Sequence, residues 1–105
     1  MISPLVALIR LNELESDAAA TPSPNRTAEA HRLTQAFSTE TQHRYLRMRR
    51  RYGATAIVPV ERGICMGCFM RQPAVPKEIE EDVYECQNCG RFLYEPEVAF
   101  DYSVG

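Results

Sequence analysis

The residues with the clearest chemistry in this chain are four cysteines, Cys65, Cys68, Cys86 and Cys89, arranged as two C-x2-C pairs with 17 residues between them. Each pair fits one tight turn with both sulfurs aimed at a common point. Two such turns facing each other offer a tetrahedron of thiolates of the kind that holds zinc, with Zn–S bonds of about 2.3 Å. Gly67 lies inside the first pair and Gly90 follows the second. Glycine lets backbone N–H groups approach sulfur, and those hydrogen bonds offset part of the thiolate charge. A redox-active C-x2-C usually occurs singly, at a helix start beside a βαβ pattern, and no such pattern is visible here. Iron in a four-thiolate cage stays open on spacing alone. A closed four-cysteine site leaves no coordination position for water, so the expectation is one structural zinc ion and no enzymatic role. No nucleophile–base arrangement can be drawn from the remaining residues.

The compartment follows from the same residues. Two disulfides would need an oxidising environment, but the apolar run from Met1 to Ile9 has no basic residues before it and reads as part of the fold. No stretch approaches the roughly 20 apolar residues that span a bilayer. The expected setting is a reducing cytoplasm, where paired C-x2-C motifs hold metal. Charge is uneven along the chain. Residues 1–52 carry eight arginines against five carboxylates, and residues 53–105 carry four basic groups against nine carboxylates. Four thiolates around a dication would make the second half more negative still. A phosphate-bearing partner would therefore be drawn to the first half.

The elements that position the cysteines can be read in outline. With 105 residues, no Trp and nine aromatic residues, the core is modest, and a ribbon-sized module needs a staple such as a metal. Ser3-Pro4 is a helix start, and Leu5, Leu8, Ile9 and Leu11 recur at helical spacing, so a helix is expected over about 4–17. Pro22 and Pro24 mark a loop at 20–25, with Thr27 as the next N-cap. Ala30, Leu33, Phe37, Thr41, Tyr45, Met48 and Tyr52 predict one helix over about 28–52, closed by Gly53. At about 1.5 Å per residue it would be roughly 37 Å long. The short loop folds the two helices back as an antiparallel hairpin, whose longer arm meets the ribbon, a partner or a second subunit in a dimer.

Beyond the helices, Ala54–Val58 reads as a short strand, with Pro59 suggesting an edge. Lys77–Asp82 reads as a helical turn or acidic loop. Val83–Glu85 and Arg91–Tyr94 form hairpin arms around the second cysteine pair. Val98, Phe100 and Tyr102 alternate as in a last strand. The expected fold is α+β: a helical hairpin over 1–53, then a four-cysteine zinc ribbon with its tail over 54–105.

The run Gly63-Ile64-Cys65-Met66-Gly67-Cys68, then Pro73, then Tyr84-Glu85-Cys86-Gln87-Asn88-Cys89-Gly90-Arg91-Phe92-Leu93-Tyr94 resembles the bacterial C4-type zinc ribbon domain family. The resemblance covers about residues 52–96. It implies a ribbon following an antiparallel coiled-coil hairpin, and a non-enzymatic adaptor with a nucleic-acid-binding role. Some members resemble flagellar regulators that contact RNA and a sigma factor. With roughly 50 residues before the ribbon, this chain has a much shorter hairpin than its relatives.

Arg44, Arg47 and Arg51 fall on one helical face in the most basic stretch, where they could grip phosphates while Tyr45 and Tyr52 stack on bases. A solvated helix end and ion pairing with the acidic second half are the alternative uses. His31 and His43 read as exposed helix residues. The run Glu78, Glu80, Glu81 and Asp82 reads as a solvated loop or as docking surface for a basic partner. Phe69, Met70, Phe92 and Tyr94 are expected to form a small core under the metal. The functional expectation is an adaptor that binds a protein partner, with RNA or DNA binding through the arginine face as the alternative and an iron electron carrier as a weaker one.

Overall fold

The computed structural model describes residues 2–16 and 24–104. It mixes helix and sheet. Three helices, α1 (Pro4–Ser16), α2 (Pro24–Thr34) and α3 (Thr39–Tyr52), lead through a 3-10 turn at Gly53–Thr55 into strands β1 (Ile57–Glu61) and β2 (Ile64–Cys65). Strands β3 (Lys77–Glu80), β4 (Val83–Glu85) and β5 (Phe92–Tyr94) follow, and helix α4 (Pro96–Val104) ends the described chain. The five strands lie in the order β2-β1-β5-β4-β3, with β1 parallel to β5 and the other pairs antiparallel.

Side chains alternate across a strand, and here the alternation sorts the core into two clusters. Ile57, Val83 and Phe92 join Leu5, Leu8, Leu11, Leu33, Phe37 and Tyr45 on the helical side. Val58, Val60 and Leu93 gather instead with Cys65 and Cys86. The pairings Ile57 to Phe92 and Val58 to Leu93 keep β1 and β5 in step across this divide. Phe92 and Tyr94 therefore face the helices, and the small core beside the cysteines is built from the neighbouring valines and Leu93, contrary to the sequence expectation. Phe69 and Met70 pack in neither cluster: they are 67% and 51% exposed.

The first helix starts as expected. The Val6 N–H donates to Ser3 Oγ at 3.2 Å and the Ala7 N–H to the Ser3 carbonyl at 3.0 Å. Its predicted end at Asp17, and most of the loop at 20–25, lie outside the described residues. Helix α2 begins at Pro24, before the proposed Thr27 cap, because proline fits the first helical turn. It runs antiparallel to α1, as Arg10 pairs with Glu29 at 3.1 Å and Arg26 donates to the Leu14 carbonyl.

The single helix predicted over 28–52 is two helices. Ser38 adopts extended backbone and its hydroxyl accepts from the Thr41 N–H at 3.2 Å, which caps a new helix. Glu80 of β3 fixes this corner, accepting from the Ser38 N–H at 2.9 Å and the Thr41 hydroxyl at 2.7 Å. Lys77–Glu80 is thus a strand, not a helical turn or a loop, and one of its carboxylates is tied into the helix corner. Pro59 is also not on an edge strand, since β1 lies between β2 and β5. Its carbonyl accepts from the Met66 N–H at 3.1 Å, just past the paired residues of β2, where its lost donor breaks no ladder bond. The expected last strand is helix α4, opened by Pro96, with Val98 and Ala99 packed on the helical cluster.

Burial works against ionisation of Glu80, but the Ser38 and Thr41 donors hold its carboxyl below the ordinary 4.5. Stability from a lowered carboxyl is present above that value and is lost as the pH falls through the folded-state value. Glu80→Gln is therefore expected to lower the melting temperature at neutral pH and to flatten its decline below about pH 4.5. Thermal unfolding of both proteins across pH checks this, and acid release of metal is common to both.

Candidate metal centre

The two C-x2-C turns converge. The four sulfurs all lie within 4.8 Å of one another. Cys65 Sγ is 3.9 Å from Cys89 Sγ, and Cys68 Sγ is 3.6 Å from Cys86 Sγ. Four sulfurs at bonding distance around one tetrahedral ion stand about 3.8 Å apart, so the donor set and its spacing fit such an ion. These four cysteines can hold a metal ion.

Both turns are built alike. Gly67 and Cys68 N–H groups approach Cys65 Sγ at 3.4 and 3.5 Å, and Asn88 and Cys89 N–H groups approach Cys86 Sγ, each at 3.4 Å. In the first turn the Phe69 N–H bonds the Cys65 carbonyl at 2.7 Å and the Cys65 N–H bonds the Met70 carbonyl at 3.1 Å. The second repeats this with Gly90 to Cys86 at 3.0 Å and Cys86 to Arg91 at 2.9 Å. The Gln72 side-chain amide adds a further donor, Nε2, to Cys86 Sγ at 3.3 Å, and its Oε1 accepts from the Gln87 N–H at 3.0 Å. Nothing in the spacing of a loop glutamine marks Gln72 for this role.

The thiols do not ionise alike. Burial pushes Cys65 up to about 12 and raises Cys89 as well. Burial also works against Cys68, but the Met70 N–H and the Asn88 side chain outweigh it and bring this thiol down to about 6. Cys86 is lowered too, against its burial, by the Cys89 and Asn88 N–H groups. A cage that stabilises some thiolates and resists others needs a cation to ionise fully, so metal uptake releases protons and weakens in acid.

The second turn is clasped by α3 and its exit. The Tyr52 hydroxyl donates to the Cys89 carbonyl at 2.8 Å, and a Cβ on Gly90 would lie 3.7 Å from Met48 Cε. The Arg91 guanidinium lies 3.7 Å over the Tyr52 ring and donates through Nε to the Thr55 carbonyl at 2.9 Å. Arg91 also runs beside the first turn: a Cβ on Gly67 would meet its Cδ at 2.6 Å and its Nε at 2.8 Å. Gly67→Ala is therefore expected to push the flexible end of Arg91 away from Thr55 and Tyr52 and to lower metal affinity by no more than about 10-fold, the lower end of the range for groups that support a ligand set. Competition with a chromophoric chelator measures this.

The arginines predicted to share a face have separate fates. Arg44 is half-buried and its guanidinium is paired with Glu85, which Lys77 also approaches at 3.3 Å. This is the ion pairing with the acidic half considered from sequence. Burial opposes ionisation of Glu85, yet the Arg44 hydrogen bond and charge, followed by Lys77, keep its carboxyl below its ordinary value. Arg51 is exposed and sits 5.4 Å from the Tyr52 ring centre. Arg47 and Arg50 are exposed and have no ion-pair partner among the described residues. They share a solvent-facing stripe with His43 and the half-exposed Leu46. The tyrosines are not poised to stack on bases: Tyr45 is buried, stacked with Phe92 and bonded to Glu15 at 2.7 Å, and Tyr52 is engaged as above.

No family model and no curated protein matches the chain. It is similar to the solved structure of the HP0958 protein from Helicobacter pylori CCUG 17874, with a TM-score of 0.55 and 27% identity. The match covers 68% of this chain and 31% of that one, so this chain corresponds to about a third of the Helicobacter protein. Among the described residues no helix is long and apolar enough to cross a membrane.

Proposed function

We propose that this chain is a non-enzymatic zinc-ribbon adaptor or regulatory protein, holding one structural zinc ion on Cys65, Cys68, Cys86 and Cys89 and presenting its surface to a macromolecular partner. The observation that supports this most is the convergence of four sulfurs at tetrahedral spacing, each turn supplying N–H donors to sulfur. Such an ion has all its positions filled by protein and supplies order, not reaction chemistry. A reducing cytoplasm, which keeps the thiolates available, belongs to the same reading.

Two measurements test it. Elemental analysis of the purified, reduced protein should give one zinc per chain in a colourless solution. Iron in the same cage would absorb visible light and would favour the electron carrier instead. Crosslinking in cells, followed by capture of the full chain, should recover a defined partner from the metal-loaded protein. Recovery of none ends the adaptor reading.

RNA or DNA binding is the second reading, and Arg47 and Arg50, exposed and without an ion-pair partner among the described residues, favour it over a face containing the half-buried, Glu85-paired Arg44. Filter binding of mixed-sequence RNA across salt concentrations tests it. The double change Arg47→Glu and Arg50→Glu should weaken binding at least about 10-fold and reduce its salt dependence. Unchanged binding excludes this stripe.

A further inference from the structure

The two cysteine turns are near copies in their backbone bonds, but their surroundings differ. Gly90 and Phe69 occupy equivalent positions, directly after the second cysteine of each pair, and both have positive φ, 83° and 64°. Glycine adopts that backbone freely, whereas a residue with a Cβ resists it. The second turn is covered by Met48 and Tyr52 of α3. No such element covers the first turn among the described residues. Phe69 and Met70 stand there 67% and 51% exposed, so Phe69 holds a disfavoured backbone without packing into the core. An exposed aromatic kept in such a conformation points to use at that surface.

Phe69 borders a groove of about 610 Å³ whose apolar wall includes Ile64, Met66 and Pro96. Three of the four charged groups around it, Glu61, Glu95 and Glu97, are acidic, against Arg62 alone. Ile64 and Met66 of this wall flank Cys65 in the chain. The field repels phosphates and attracts cationic groups.

We propose that the groove beside Phe69 binds a basic amphipathic segment of a partner protein, whose apolar residues contact Phe69 and Met66 while its lysines or arginines face Glu61, Glu95 and Glu97. Within this chain the second turn is covered in a related way: Met48 and Tyr52 of α3 lie over it, and Arg44 of the same helix pairs with Glu85 beside Cys86. The proposal names the partner class for the adaptor reading and rests on it.

The test uses the full, zinc-loaded chain as bait for a displayed library of random 12-residue peptides, with Phe69→Gly as the comparison bait. Selected peptides should carry Lys or Arg at three- or four-residue spacing from Leu, Met or Phe. A synthetic peptide of that pattern should bind Phe69→Gly at least about 10-fold more weakly than the parent, and should weaken as salt is added. Because glycine suits the backbone at 69, the variant should keep its metal and melt no lower than the parent, which separates lost binding from lost folding. Absence of enrichment, neutral or acidic selected peptides, or equal affinity for the two baits overturns the groove. So does self-association of the parent that Phe69→Gly abolishes, since the occupant is then a second copy. Cellular capture of a partner equally well by both forms leaves the adaptor reading standing and removes this groove from it.

Discussion

Cys86→Ser is expected to abolish stoichiometric metal binding and to leave the two cysteine turns, β2 and the end of β1 beside them without a fixed structure at room temperature. Cys86 is the sulfur most heavily supplied with donors, receiving Asn88 and Cys89 N–H groups and the Gln72 amide. The apolar cluster beside it is small: among the described residues, Val58, Val60 and Leu93 are its only buried members besides the two cysteines. Structural zinc contributes about 10–16 kcal/mol in small modules, as much as the whole stability of a typical domain, about 5–15 kcal/mol. Two valines and one leucine cannot offset such a loss, at about 1.5–3 kcal/mol for each buried side chain. Elemental analysis and thermal unfolding read the result directly. Hydrogen exchange should show the loss first at β1, β2 and the two turns. Full metal content with an unchanged melting temperature would contradict the assignment of Cys86 as a ligand.

Phe92→Ala should be the most damaging change away from the sulfurs. Phe92 is fully buried, pairs with Ile57 and Glu85 across two strands, and stacks with Tyr45 at a centroid distance of 6.4 Å. It joins the sheet to the helices from the residue just after Arg91, so a cavity there loosens both. Large-to-small changes of a buried Phe cost about 3–5 kcal/mol. For a domain of this size that lowers the melting temperature by at least about 12 °C. Phe100→Ala removes an equal side chain from a position that is 66% exposed, and should change stability by no more than about 0.5 kcal/mol. A melting curve for each variant decides whether burial or mere aromatic content carries the effect.

What was legible in the sequence was local chemistry. The cysteine spacing, Ser3-Pro4, the Gly53 stop and the arms around the second turn each carry their signal within a few residues, and the structure has all four. Gly53 ends α3 with its N–H on the Arg49 carbonyl, as a C-cap should. The break at Ser38 was hidden because α2 and α3 bury residues in one cluster, so Leu33, Phe37, Thr41 and Tyr45 keep helical spacing across the corner. The corner depends on Glu80, 42 residues away from Ser38, and no local window contains that partner. The terminal helix is obscured in the sequence because Val98, Phe100 and Tyr102 alternate as in a strand, while its helix signal, Pro96 followed by Glu97 in the first turn, is short. In the candidate site the four converging cysteines were readable from spacing. The supports, Gln72, Tyr52 and Arg91, were not, because each acts through a tertiary approach.

The close fit of Gly67 against the Arg91 side chain bears on how such sequences can drift. The two positions sit in different turns, yet one occupies the space that a methyl group at the other would need. A lineage that enlarges residue 67 must first shorten or redirect residue 91, and any shortening removes the cation resting on Tyr52. Across descendants of this chain, alanine at 67 should therefore be accompanied either by a smaller side chain at 91 or by an arginine turned away from Tyr52.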